Sequence, residues 1–297
     1  MRTQESLRER GIRLLLAGLA LCALLALLGI MAFLFAESLP FFAGYKPLDF
    51  LLGTLWYPTA DPPEFGVFPL MAGSVAVMLL AACIAVPLGV LTAAYLTEIA
   101  AGGVRRIVKP FVELLAALPS VVVGFFGMVV VAPFLQERFE LTTGLNLFNA
   151  SLMLAFMSVP TICSVSEDAI FAVPRALREA SLALGATRWE TTVKVVLPAA
   201  LSGIGTAVML GMSRAIGETM VVLMVAGGAA MLPSSLFDPV RPMPASIAAE
   251  MAEAPFRSEH YHALFATGLV LFTFTLCFNM LAHYVSEKYK QTGSSSL

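Results

Sequence analysis

The sequence predicts an all-α membrane protein with six transmembrane helices, and three observations carry that prediction. Of 297 residues, 59% are hydrophobic and only 13% are charged, with a mean hydropathy of +0.86, well outside the range of a soluble domain this long. The apolar runs reach twenty residues or more, enough to cross a hydrocarbon core of roughly 30 Å as helix. They lack the short alternating segments of a membrane barrel, and a helix satisfies its own backbone polar groups in lipid.

In chain order, Arg2, Arg8, Arg10 and Arg13 precede a first apolar run, about Ile12 to Phe35. It is longer than a signal-peptide core and has no convincing small-residue cleavage site, so it is expected to remain as an anchor. Residues 37 to 65 are rich in Pro, Gly and aromatics (FLLGTLWYPTADPPEFG) and read as an ordered external loop. A second span, about Gly66 to Leu96, contains Pro87, where a kink is expected. The third, about Pro110 to Leu135, holds Glu113 near its start and the breaker Leu118-Pro119-Ser120 soon after. The fourth runs from about Leu147 to Ile170 and the fifth from about Ala199 to Gly228. A Pro-rich loop then carries a short helix expected near Ser246 to Ala254, and a sixth span, about Ala263 to Tyr284, leads into a basic, Ser-rich tail.

Six spans place both termini on one side, and the Lys/Arg distribution says which. Thirteen of the eighteen bases fall on the face with the termini and the loops 98 to 110 and 172 to 197. Four (Lys46, Arg138, Arg241, Arg257) fall on the other, and Arg214 lies inside a span. Both termini and the loop 172 to 197 are therefore expected in the cytoplasm.

Several chemistries find no support. No GxxxxGK[ST] loop is present, and Gly203-Ile204-Gly205 does not complete GxGxxG. No nucleophile with a positioned base is visible, so no catalytic residue is assigned and a membrane enzyme is the weakest reading. Cys22, Cys83, Cys163 and Cys277 sit in apolar runs without CxxC spacing and read as small buried residues. His260 and His262 form an HxH too sparse for a metal site and are expected in a solvated loop.

The stretch Glu179 to Pro198 (EASLALGATRWETTVKVVLP) is the least hydrophobic long segment. Pro174 suits the first position of a helix, on which Leu177, Ala180 and Leu184 form an apolar stripe. Gly185 is a natural left-handed stop, and Thr187-x-x-Glu190 is a capping box opening a second helix through Val193, Val195 and Val196 to Pro198. Periodicity alone leaves two readings open: a docking hairpin for a soluble partner, or an amphipathic hairpin in the membrane interface.

Glu179-Ala180-Ser181, Gly185 and Val195-Val196-Leu197-Pro198 resemble the EAA loop of ABC importer permeases, with Ser181 for the second alanine and Val195 for isoleucine as mild departures. The resemblance implies the type I, MetI-like permease fold, with residues 174–197 as a coupling helix that docks on an ATPase subunit. Glu179, Ala180 and Gly185 would then be the coupling residues.

In the fifth span, Arg214 lies 16 residues beyond Pro198, about 24 Å along a straight helix. There a guanidinium costs at least ~2.5 to 3.5 kcal/mol. Glu218 follows at i+4, where the two can pair, while Gly203, Ala207, Gly211 and Ala215 form a small-residue stripe for close helix approach. Such a pair either fixes packing or lines a pathway. Glu113, Ser120 and Asn279 are polar enough to line one too, but helix-end or packing roles suit them better. The segment Ser213 to Met220 (SRAIGETM), followed by Val225-Ala226-Gly227-Gly228, resembles the RAIGET segment of phosphate importer permeases. The external FLLGTLWYP and Glu113 to Gly127 (ELLAALPSVVVGFFG) point to the PstC-type subunit.

That resemblance implies a bacterial plasma (inner) membrane protein acting with a PstA-type permease, two copies of an ABC ATPase that binds the ATP, and an external phosphate-binding protein. It implies no cofactor or metal in this chain and no nucleic-acid partner, with Arg214 and Glu218 on the substrate pathway. A permease for another oxyanion, molybdate or sulfate, shares the EAA loop. A scaffold that recruits a soluble partner without conducting would tolerate apolar residues at positions 214 and 218.

Overall fold

The computed structural model describes residues 7–288; Arg2, Lys290 and the Ser-rich tail lie outside them. Helix α1 (Leu7–Gly44) has 38 residues, about 57 Å at 1.5 Å per residue, so it outruns the membrane. Then come α2 (Pro47–Leu52) and a hairpin of β1 (Trp56–Tyr57) and β2 (Glu64–Phe65), antiparallel with Trp56 opposite Phe65. Helix α3 (Phe68–Ala94) passes through Pro87 and closes in a π turn, Tyr95–Ile99. After it come α4 (Gly102–Ala116), α5 (Ser120–Phe126), a π turn Gly127–Val131, α6 (Ala132–Phe139) and α7 (Leu147–Phe171). The next segment forms α8 (Arg175–Ala183) and α9 (Arg188–Thr191), which continues through a π turn, Thr192–Val196, into α10 (Leu197–Ala199). Helices α11 (Leu201–Ile216), α12 (Met220–Val225), α13 (Met243–Glu250) and α14 (Glu259–Lys288) complete the described chain.

Two expected spans are broken. Pro119, extended at φ −60°, ψ 137°, separates α4 from α5, as the breaker predicts. The fifth is a correction: Arg188–Ala199 and Leu201–Ile216 meet at 69°, and Gly217 to Thr219 interrupt the helix before α12. Five helices are long and apolar enough to cross a membrane, six if that bent pair counts as one span. The cysteines are a second correction, since Cys22, Cys83 and Cys277 are exposed and only Cys163 is buried. Lipid tails are as apolar as leucine, so an apolar run does not separate bundle interior from bundle exterior.

Helix α7 is the centre of the bundle, with 61% of its most apolar window buried against 28% or less in the other spans. Its fully buried Ile162 lies between two glycines. A Cβ added at Gly89 of α3 or Gly211 of α11 would come within 2.7 or 2.6 Å of the Ile162 side chain, and one at Gly203 within 2.4 Å of Ala169. The small-residue stripe of α11 is therefore its face toward α7. Asn146 caps α7, accepting from Asn149 N at 3.0 Å, and Asn149 Nδ2 donates at 3.0 Å to the carbonyls of Gly127 and Gly144.

The end of the bundle opposite α8 is a packed cap. Phe41, Phe50, Trp56 and Phe65 are buried with Leu70, Met243 and Leu264, and Phe41 meets Phe50 and Phe65 edge to face at 5.1 and 5.4 Å. Glu250, at the end of α13, gathers the polar groups of this cap. Its carboxylate accepts from Trp56 Nε1 at 3.0 and 3.1 Å, Arg241 Nη1 at 2.6 Å and Ser246 Oγ at 2.9 Å, and lies 2.8 Å from His260 Nε2. His260 and His262 are thus not solvated. His262 Nδ1 is 2.7 Å from the Glu37 carbonyl, because α14 begins at Glu259 and draws both rings against the cap.

Candidate functional site

The segment 174–197 is two short helices joined by a turn. Pro174 is the residue just before α8, at φ −56° and ψ 136°, so the helix begins one position later than expected. Gly185 has φ +86°, and a Cβ there would meet nothing within 4 Å. Left-handed backbone is therefore what requires glycine at this turn, with no crowding from within the chain. The capping box forms as predicted: Thr187 Oγ1 accepts from Glu190 N at 3.2 Å, and Glu190 Oε2 accepts from Thr187 N at 3.0 Å. The Thr187 backbone N–H, then its hydroxyl, then Lys194 hold the Glu190 carboxyl below the usual carboxylate range.

No residue of α8 is buried. Glu179, Ala180 and Gly185 are exposed, and Leu184 and Trp189 project at 90% and 64% exposure. An apolar tip rimmed by charge is the composition of a surface that another protein covers. One polar link holds α8 to α9, and another holds it to the transmembrane helices. Ser181 Oγ and Thr191 Oγ1 lie 2.9 Å apart, joining α8 to α9. Arg178 reaches the transmembrane helices, donating to Glu98 Oε1 from Nη2 at 2.8 Å and from Nε at 3.3 Å, to the Ile170 carbonyl at 2.8 Å, and to the Val173 carbonyl through Nη1. Beside it, Glu167 of α7 binds Arg105 Nη2 at 2.7 Å and Lys109 Nζ at 3.3 Å, which docks α4 on α7.

Arg214 stands 13 residues after the start of α11, about 20 Å along it. The estimate of 24 Å assumed a straight helix from Pro198, and the 69° bend removes the first turn. Arg214 is exposed, about 60° to 100° round α11 from the neighbouring stripe residues Gly211 and Ala215. The expected Arg214–Glu218 pair does not form, since α11 ends at Ile216 and the i+4 geometry is lost. Glu218 instead turns to the start of α12, its Oε1 accepting from Val221 N at 3.4 Å. Among the described residues Arg214 has no hydrogen-bond or ion-pair partner. Its neighbour Ser213 donates to Asn279 Oδ1 of α14, so Asn279 has a packing role. Glu113 is exposed beside a 410 Å³ cleft lined also by Arg105, Arg106 and Lys109, and Ser120 opens α5.

The charge of Arg178 was legible in the sequence but its partner was not, because Glu98 lies 80 positions away. Glu167 and Glu250 also escaped the sequence reading. An acid near the end of an apolar run, facing a basic loop, was the available signal for Glu167.

The fold has counterparts among known proteins. Residues 85–291 match the model of the family described as binding-protein-dependent transport system inner membrane component. The chain belongs to that family. Its relatives include the probable ABC transporter permease protein YqgH of Bacillus subtilis strain 168, 40% identical over 97% of this chain and 94% of that one. Another is the phosphate transport system permease protein PstC of Mesorhizobium japonicum, 36% identical over 90% and 86%. Among solved structures, the MetNI methionine ABC transporter in an inward-facing conformation aligns over 76% of this chain and 95% of that one, with a TM-score of 0.58 and 22% identity. A bacterial alginate ABC transporter aligns over 98% and 100%, with a TM-score of 0.67 and 16% identity. At these identities the structures establish the fold, which is that of MetI-like ABC importer permeases. This family member is thus a multi-pass permease subunit.

Proposed function

We propose that this permease is the PstC-type half of an ATP-driven importer of inorganic phosphate. In this reading it pairs with a PstA-type permease in a bacterial inner membrane, with both termini cytoplasmic. Two ATPase copies bind and hydrolyse ATP beneath the pair, and an external binding protein delivers phosphate. The chain itself carries no cofactor and no catalytic residue. Relatives named as phosphate permeases over most of the chain support the cargo, and the exposed tip at Leu184 and Trp189 supports docking on the ATPase.

The observation that carries the reading is Arg214, a guanidinium without a partner among the described residues, about 20 Å into the fifth span and exposed on its surface. A permanent cation there has a large desolvation cost, which an anion in transit offsets when it binds. Glu218 stands one short break away and opposes overly tight retention by its like charge with the cargo. It acts from the start of α12, not as a paired lid over Arg214.

Reconstitution tests this. The four-component complex in liposomes should import labelled phosphate and hydrolyse ATP in response to the loaded binding protein, with excess sulfate or molybdate competing weakly. Preferred import of either competitor would reassign the cargo. A chain that purifies without an ATPase and stimulates none would overturn the reading.

A further inference from the structure

We infer that Arg178 is a positioning residue that makes the cytoplasmic ends of α3 and α7 move with the coupling helix. The inference rests on the reading that an ATPase docks on this loop and goes beyond it in assigning the transmitting contact. Because no side chain of α8 is buried, apolar packing does not hold this helix in place, and its polar bonds set how it follows its neighbours. Arg178 supplies those that leave the loop. One guanidinium joins the carboxylate of Glu98, in the π turn closing α3, to the Ile170 carbonyl at the end of α7 and the Val173 carbonyl just past it. Its side chain is 20% exposed and that of Glu98 14%, so the pair is shielded in a way the exposed Glu190–Lys194 pair is not.

Two further features suit a transmitting role. The planar guanidinium fixes direction as well as distance, since its donors leave in a rigid fork. The contact also ends in a π turn, Tyr95–Ile99, an irregular form that recurs at functional sites. From the ends of α3 and α7 the packing continues inward. Ile162 of α7 is wedged against Gly89 of α3 and Gly211 of α11, and Arg214 stands one turn beyond Gly211. A shift of the loop thereby reaches α11, the helix that carries Arg214, through close-packed contacts. Such a route needs a coupling measurement to establish it.

The test uses the complete complex with Arg178→Gln, Arg178→Lys and Glu98→Gln. Both glutamine variants should assemble with the ATPase and hydrolyse ATP at the basal rate, while phosphate moved per ATP falls about tenfold or more, the factor for one charge-assisted bond lost in one state of the cycle. Arg178→Lys, which keeps the charge but not the fork, should recover part of the loss. Spin labels at Ala183 and Ala100, on a background lacking the four native cysteines, give a readout independent of cargo. In the parent complex their separation should stay constant between nucleotide-free and ATP-trapped states, whereas in Arg178→Gln it should change. Normal coupling with an unchanged separation in Arg178→Gln would overturn the inference, as would loss of ATPase binding, which would make Arg178 a structural anchor. If the parent complex moved no phosphate, the cargo would be wrong, and the label distances would still decide the role of Arg178.

Discussion

The two ends of this molecule solve opposite problems with similar residues. At the capped end, aromatic side chains are buried around a carboxylate, Glu250, that four different side chains approach within hydrogen-bonding distance. At the opposite end, Leu184 and Trp189 are left exposed and no residue of α8 is fully buried. One end is saturated and fixed within the chain. The other leaves its apolar surface for a partner and keeps one multiply bonded arginine as its tether.

The largest effect that would break this contrast is in the cap. Glu250→Ala strands Arg241, His260, Trp56 Nε1 and Ser246, and should destabilise the protein by ~3 to 5 kcal/mol, the usual result of removing one partner of a buried charged network. Thermal unfolding in detergent measures it, and an unchanged midpoint would mean that the cap is not held by this carboxylate. Next is Gly185→Val, which forces a branched side chain into a φ of +86° at ~1 to 3 kcal/mol of local strain. Global unfolding should barely move while co-purification of the ATPase drops. Equal losses in both would merge the two regions into one cooperative unit.

A smaller effect is expected from Thr187→Ala, which removes the cap of α9 for ~1 kcal/mol, read as faster proteolysis of residues 183–192. The smallest concerns pH. Glu190 has its pKa lowered in the folded loop by Thr187, so its contribution is present above the unfolded value of about 4.3. It is lost as pH falls through the depressed folded value. Protection of the loop should weaken at acid pH in the parent and lose that dependence in Glu190→Gln.

What was legible in the sequence follows the same division. Apolar runs announce spans because a helix in lipid must be both long and apolar, and the capping box and Gly185 were readable because their partners lie within four residues. The Arg214–Glu218 pair was misread for a related reason, since i+4 proximity holds only in an unbroken helix and the chain breaks at Gly217. Arg178–Glu98, Arg105–Glu167 and His260–Glu250 depend on helices or turns meeting in space, at separations of 80, 62 and 10 residues. Local pattern does not encode such meetings.

The central claim is that the exposed guanidinium of α11 serves the cargo and not the packing. The most direct measurement is phosphate uptake by Arg214→Gln in the assembled complex. The account predicts uptake abolished, with the complex intact and its thermal stability near that of the parent, because Arg214 bonds to no described residue. Undiminished uptake, or a complex that no longer assembles, would contradict it.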